Sequence, residues 1–227
     1  MEIHCIQTAR KGSKSVKNKN KLIVNGKPCY RHNIDYCKES KFVNEIFIST
    51  DDEDIMKSKD CYIIQRPKEL SGDTASHKDV IIHALETIES TISKKVDMLV
   101  VILGNNVSCK TEDLDSAIQS LIDSPSYDSV QSVSKYNMFN PYRALRISDG
   151  KLEPEVEKNI NFKNDKNSYG NFYFFNGSFW VIRRDSIFKE NQTPPFEWLG
   201  EKIMPFVQEE GVMEIDANWQ TNIVGLY

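Results

Sequence analysis

The sequence predicts an α/β domain in three layers, a mostly parallel β-sheet between helices, with a small inserted arm. Three observations carry this. Short apolar runs fit for buried strands alternate with segments whose apolar residues recur at helical spacing. The stretch from Ile3 to Thr50 sets a strand, a loop, a helix and a second strand within about 50 residues, enough for a parallel crossover. The most apolar run, Val96 to Leu103, has the near-continuous hydrophobicity of a strand covered on both faces.

Taken in order, Ile3-His4-Cys5-Ile6-Gln7 reads as the first strand, followed by a loop of small and basic residues. Pro28 to Lys38 carries Tyr30, Ile34 and Cys37 at helix-like spacing. Val43 to Thr50 reads as a buried strand ending in Asp51-Asp52. An acid-rich helix over Asp52 to Lys59 leads to a third strand at Cys61 to Ile64. His77 to Ile92 gathers Val80, Ile81, Ala84, Leu85 and Ile88 on one helical face. After the Val96 to Leu103 strand comes a helix over Thr111 to Ser124, with Thr111 as N-cap. Glu112 and Asp113 stand in its first turn, where acids suit the helix dipole. From about 135 to 171 the chain turns polar and rich in Asn, Lys and Tyr; this is the expected arm. Phe172 to Phe175 and Ser178 to Ile182 restore strand character, and the aromatic alternation there is mostly core packing. No repeat is evident, so residues 1–227 read as one domain carrying that arm.

Composition narrows the function. Apolar residues make up 39% and charged residues 27% of the chain, values that suit a folded globule and argue against disorder. No apolar run approaches the roughly 20 residues that span a bilayer. At the N-terminus an apolar strand precedes the basic cluster, the reverse of a secretory leader, so the expectation is a cytoplasmic, soluble protein. The net charge of −4 argues against a nucleic-acid partner. Five scattered cysteines lack CxxC spacing, which leaves neither a zinc site nor a disulfide framework.

Charge is unevenly spread. Residues 10 to 27 hold Arg10, Lys11, Lys14, Lys17, Lys19, Lys21 and Lys27 with no acid among them. In an open α/β sheet, ligands collect where the strands' carboxyl ends open into crevices. Gly12 there lets backbone N–H groups approach phosphate oxygens, Ser13 adds a hydroxyl and Arg10 can grip phosphate with two N–H groups. A solvated basic loop is the bland alternative; its place directly after the first strand favours an anion site. The Walker spacing GxxxxGK[ST] is absent.

Ala9-Arg10-Lys11-Gly12-Ser13-Lys14 followed by Lys19-Asn20 resembles the nucleotide-binding signature of the cytidylyltransferases that activate sialic acids. Asn25-Gly26-Lys27-Pro28, Ser49-Thr50-Asp51-Asp52 and Arg66-Pro67-Lys68-Glu69-Leu70-Ser71-Gly72-Asp73-Thr74-Ala75-Ser76 follow in that family's order. Five ordered matches over residues 9 to 76 are far more specific than any one alone. Asn176-Gly177 and Glu214-Ile215-Asp216 are later anchors.

The resemblance implies a three-layer nucleotidyltransferase that moves CMP from CTP to a sialic-acid-like sugar acid, releasing pyrophosphate, for surface glycans. It assigns Arg10, Gly12, Ser13, Lys14, Lys19 and Asn20 to the triphosphate, with Arg10 and Lys19 as the catalytic charges. Arg66, Asp73, Thr74 and Ser76 fall to the nucleoside side. Glu214 and Asp216 fall to Mg²⁺, and alternate residues on a strand would point both acids the same way. Asn105, Arg143, Lys166 and Asn176 fall to the acceptor. A homodimer is implied as well, the arm carrying Arg143 and Lys166 to the neighbour's acceptor pocket.

The acceptor side departs from the pattern. Where the sialic-acid enzymes read LQPTSP, this chain has Leu103-Gly104-Asn105-Asn106-Val107-Ser108, so the sugar-binding glutamine is replaced by Gly104. Asn105 stands where related sugar-acid enzymes carry a metal-binding aspartate. Two alternatives stay open: a nucleotidyltransferase with another base or acceptor, and a catalytically silent nucleotide- or sugar-binding protein.

Overall fold

The structure is a computed structural model that describes residues 1–136, 139–156, 165–189, 196–209 and 214–221. Strand β1 (Ile3–Thr8) runs into the basic loop, the two-residue strands β2 (Ile23–Val24) and β3 (Lys27–Pro28), and helix α1 (Cys29–Lys38). Then come β4 (Glu45–Thr50), β5 (Tyr62–Gln65), α2 (His77–Ile92), β6 (Met98–Leu103), α3 (Thr111–Asp123) and β7 (Ser129–Lys135). The arm contributes β8 (Leu145–Ser148) and β9 (Lys151–Pro154), after which β10 (Tyr173–Arg183) and β11 (Ile203–Gln208) return to the sheet.

Among the described residues, seven strands lie side by side in the order β11-β7-β10-β6-β1-β4-β5. Only β10 runs against its neighbours; the pairs β1–β4, β1–β6, β4–β5 and β11–β7 are parallel. The expected three layers follow from side-chain alternation. On β6, Met98, Val100 and Ile102 pack with Ile34 of α1 and Leu114 and Ile118 of α3. Leu99 and Val101 face the other way, onto Ile81, Leu85 and Ile88 of α2. All five of these β6 residues are buried, as a central strand requires.

Some local expectations are corrected. Thr111 is not the N-cap of α3; that place falls to Lys110, and the Thr111 hydroxyl donates 3.0 Å to the carbonyl of Tyr36. The acid-rich segment after β4 forms only a 3-10 turn at Ile55–Lys57; Asp52 stands ahead of it, its carboxylate accepting from Lys21 and from the Asp54 N–H. The two aromatic stretches are a single strand, β10, interrupted by a bulge between Phe175 and Trp180. Gly177 sits in that bulge with φ at +79°, a backbone that glycine adopts without strain. Among the described residues, no helix is long and apolar enough to cross a membrane.

Candidate active site

The carboxyl ends of β1, β5 and β6 and the start of α2 frame a cleft of about 290 Å³. Its floor is the basic loop, which is tied down from the next strand over. The Ala9 N–H donates to the Ser49 carbonyl at 3.0 Å, and the Thr50 hydroxyl donates to the Ala9 carbonyl at 2.6 Å. The Lys11 N–H donates to Asp51 at 2.7 Å, while Lys21 pairs with buried Asp52 at 2.9 Å. Ser49-Thr50-Asp51-Asp52 thus builds the loop and leaves the cleft to others. Asn20 lines the cleft and donates 3.0 Å to the Arg10 carbonyl, fixing the backbone under the cation.

Arg10, Lys19, Arg66, Asp73 and Asn105 line this cleft together with Glu214. Arg10 pairs with Asp73 at 2.8 Å, and Lys14 pairs with the other oxygen of the same carboxylate. Those cations hold the Asp73 carboxyl below the usual range. Arg66 is buried at the end of β5, its Nε donating to the Ser49 hydroxyl at 3.0 Å and its Nη2 to the Ser49 carbonyl at 2.8 Å. Burial lowers its guanidinium to about 10, which still leaves it cationic at neutral pH. Ser76 caps α2, its hydroxyl oxygen accepting from the Asp79 N–H at 3.4 Å. Gly12 faces open space. Ser13 is half-buried, whereas Thr74 is exposed beside Asp73.

The C-terminal acids reach the cleft by a different route from the one expected. They lie on no strand: Glu214 makes one isolated bridge to Asn106, and Ile215 donates to the Asn105 carbonyl at 3.0 Å. The carboxylates still converge. Asn105 Nδ2 stands 3.4 Å from Glu214 Oε2 and 3.4 Å from Asp216 Oδ1. Lys19 Nζ reaches Asp216 Oδ1 at 2.6 Å. Burial raises the Glu214 carboxyl above its usual value, the charge of Asp216 pushes the same way, and Asn105 and Lys19 partly offset both. Two acids this close favour a cation between them.

The predicted acceptor set is not brought together. Asn176 is a correction: its amide is buried in the β10 bulge and spent on the sheet. Its Oδ1 accepts from the Ser132 hydroxyl at 2.8 Å, and its Nδ2 donates to Ser134 at 2.9 Å and to Gln208 at 2.7 Å. Arg143 stands exposed on the arm, in the 3-10 turn Pro141–Arg143, away from the cleft lining. Lys166 opens the turn Lys166–Tyr169, and its side chain lies outside the described residues.

The cytidylyltransferase family profile matches residues 4–197. The chain belongs to that family. This cytidylyltransferase is therefore a nucleotidyltransferase enzyme, and its cleft lies where the matched motifs meet. It is 27% identical over 229 residues to the post-translational flagellin modification protein B of Campylobacter coli, covering 98% of this chain and 93% of that protein. It is 36% identical over 90 residues to the pseudaminic acid cytidylyltransferase of Campylobacter jejuni subsp. jejuni, 38% of this chain and 39% of that one. Among solved structures, the CMP:2-keto-3-deoxy-manno-octonic acid synthetase complexed with CTP shares the fold. The TM-score is 0.72 over 100% of this chain and 98% of that one, at 16% identity.

His77 also lines the cleft of this cytidylyltransferase, and the motif reading passed over it because the recognisable pattern stops at Ser76. None of the five cysteines lines the cleft. Burial pushes Cys29 up to about 11 and Cys109 up to about 12, so neither supplies a thiolate near neutral pH.

Proposed function

We propose that this enzyme transfers CMP from CTP to a sialic-acid-like sugar acid with release of pyrophosphate, using Mg²⁺. The observation that carries the reading is that one cleft gathers Arg10 and Lys19 with the acid Glu214, while Asp216, beside Glu214, pairs with Lys19 at 2.6 Å. Cations alone would bind a triphosphate; the acid pair adds a seat for the divalent ion that a triphosphate brings.

The acid pair fits Mg²⁺. Both carboxylates come within 3.4 Å of a single atom, Asn105 Nδ2, so two hard oxygens can share one ion. Among the described residues no third His, Cys, Asp or Glu joins them, which suits an ion that keeps waters and substrate phosphates in its shell. Bound there, Mg²⁺ would neutralise charge on the triphosphate oxygens.

The remaining work belongs to this chain's residues. An acceptor oxygen attacks the α-phosphate of CTP, the bond to the β-phosphate breaks, and pyrophosphate leaves. Arg10 and Lys19 spread the charge that grows on it. Gly12, Ser13, Lys14 and Asn20 shape the triphosphate loop. Arg66, with Asp73, Thr74 and Ser76, orients the nucleoside, and Asn105 positions the two acids.

The arm supports a homodimer. Register sets Leu145 opposite Pro154 and Ile147 opposite Leu152, so one face of the hairpin is apolar. Ile147 is 79% exposed there and Leu152 68%. A second copy covering this face would bring Arg143 and Lys166 toward the partner's cleft, where cations neutralise the acceptor carboxylate.

Pyrophosphate release with CTP and a panel of nine-carbon sugar acids, including sialic and pseudaminic acids, tests the reading. Release with at least one acceptor is expected; release with none, or only with a purine triphosphate, overturns it.

A further inference from the structure

Two buried polar atoms beside the cleft have no hydrogen-bond partner among the described residues: Nε2 of His77 and Nε1 of Trp180. Their rings meet edge to face, centroids 6.0 Å apart and planes at 69°. Trp198 packs edge to face on the same imidazole, at 5.4 Å and 81°. Leaving both atoms unpaired would be costly, and buried polar groups are rarely left so. They are complementary. An indole N–H can only donate, whereas a neutral imidazole accepts at one nitrogen and donates at the other. His77 is neutral near pH 7, since burial and then the charge of Arg66 lower it to about 4.

We propose that the Trp180 N–H, through one bridging water, fixes His77 as its Nδ1–H tautomer, and that this Nδ1–H donates to an acceptor atom on the edge of the bound nucleobase. The proposal rests on the CTP reading above and deepens it. His77 is then a specificity-determining residue for the base, and Trp180 is a positioning residue that acts through it.

The surroundings favour a base over a phosphate or a sugar carboxylate. The segment that carries His77 also puts Leu70, Ala75 and Val80 into the cleft wall, which suits the faces of a flat ring. Arg66 and Asp73 stand on the same segment, but Arg66 is spent on Ser49 and Asp73 on Arg10 and Lys14. The other charged groups come from elsewhere, Arg10 and Lys19 from the basic loop and Glu214 from the C-terminal segment. A neutral donor is a poor counter-ion for phosphate and a good partner for a ring carbonyl or ring nitrogen. Position at the first turn of α2 adds to this, since the helix N-terminus strengthens donors and disfavours a protonated ring.

Two measurements on the full chain test the proposal. The first is ¹⁵N NMR of the imidazole nitrogens in the free protein at pH 7. The Nδ1–H tautomer of His77 is expected, and Trp180→Phe, which keeps an aromatic ring but removes the N–H, should shift the population toward Nε2–H. An Nε2–H tautomer in the wild type, or no change in Trp180→Phe, overturns the relay. The second is calorimetric titration of CTP and of inorganic triphosphate into wild type and His77→Phe. CTP binding should weaken roughly tenfold, the worth of one neutral hydrogen bond, while inorganic triphosphate binding stays within twofold and reports an intact fold. If His77→Phe binds CTP as the wild type does, or if only the acceptor KM rises, the base contact is wrong. Wild-type protein that binds no CTP overturns the functional reading itself, an outcome distinct from either.

Discussion

Lys19 Nζ stands 2.6 Å from Asp216 Oδ1, joining the first loop of the chain to its last described segment across 197 positions. Each residue therefore masks the other. Under the proposed function, a triphosphate that took Lys19 would free Asp216 for a cation, and a cation that took Asp216 would free Lys19 for phosphate. Lys19→Ala is expected to lower turnover by about 10²-fold, the effect of removing one preorganised charge contact. Steady-state kinetics with CTP check this; unchanged kcat/KM removes Lys19 from the mechanism.

Gly177 stands where a Cβ would overlap the side chain of Glu214, and its φ is +79°. Gly177→Ala should therefore push Glu214 out of the acid pair while leaving the basic loop untouched. The Mg²⁺ concentration for half-maximal rate should rise at least fivefold, with CTP binding in the absence of metal unchanged. A variant with the wild-type Mg²⁺ response would show that Glu214 does not depend on the bulge.

Asp128 gives a stability prediction with a defined sign. Burial works to raise its carboxyl, but Lys189, the N–H groups of Lys202 and Glu201 and the Ser186 hydroxyl outweigh it and hold the group at about 2. A carboxylate depressed on folding stabilises fully above its unfolded value of about 3.9, and the contribution fades as pH falls through the folded value. Its loss should thus run from about pH 4 to pH 2 and amount to about 2 kcal/mol. Urea midpoints at pH 6 and pH 3 should fall less steeply in Asp128→Asn than in the wild type; parallel slopes would refute the assignment. Gly200, at φ +81° with no room for a Cβ beside Asp128, should tolerate alanine no better.

How much of this was legible in the sequence varied with how local the signal was. The basic loop, Arg66 and the strands β1, β4 and β6 were readable because contiguous motifs and apolar runs encode them. Strand β11 was not: Pro205 interrupts its pattern, and only an edge position, where one side needs no partner, accommodates it. Asn176 shows the converse failure. A polar residue beside a glycine in a matching motif invites a ligand role, but the β10 bulge turns it inward onto Ser132, Ser134 and Gln208, a register that no local pattern reports. Glu214 and Asp216 were found as a pair, although an isolated bridge and the amide of Asn105 gather them, not a strand. His77 was invisible because its distinguishing property is burial among aromatic rings from distant segments.

The central claim is that the basic loop and the C-terminal acids form one metal-assisted CMP-transfer site. Its most direct test is the initial rate against Mg²⁺ concentration for wild type, Asp216→Asn and Asn105→Ala, with CTP and an accepted sugar acid. Mg²⁺ takes charged oxygen ligands and few of them, so losing one of two carboxylates should abolish turnover at any practical concentration. Asn105→Ala, which removes only the amide between the acids, should be milder and partly recovered by added Mg²⁺. Near wild-type activity of Asp216→Asn at low Mg²⁺ would contradict the account.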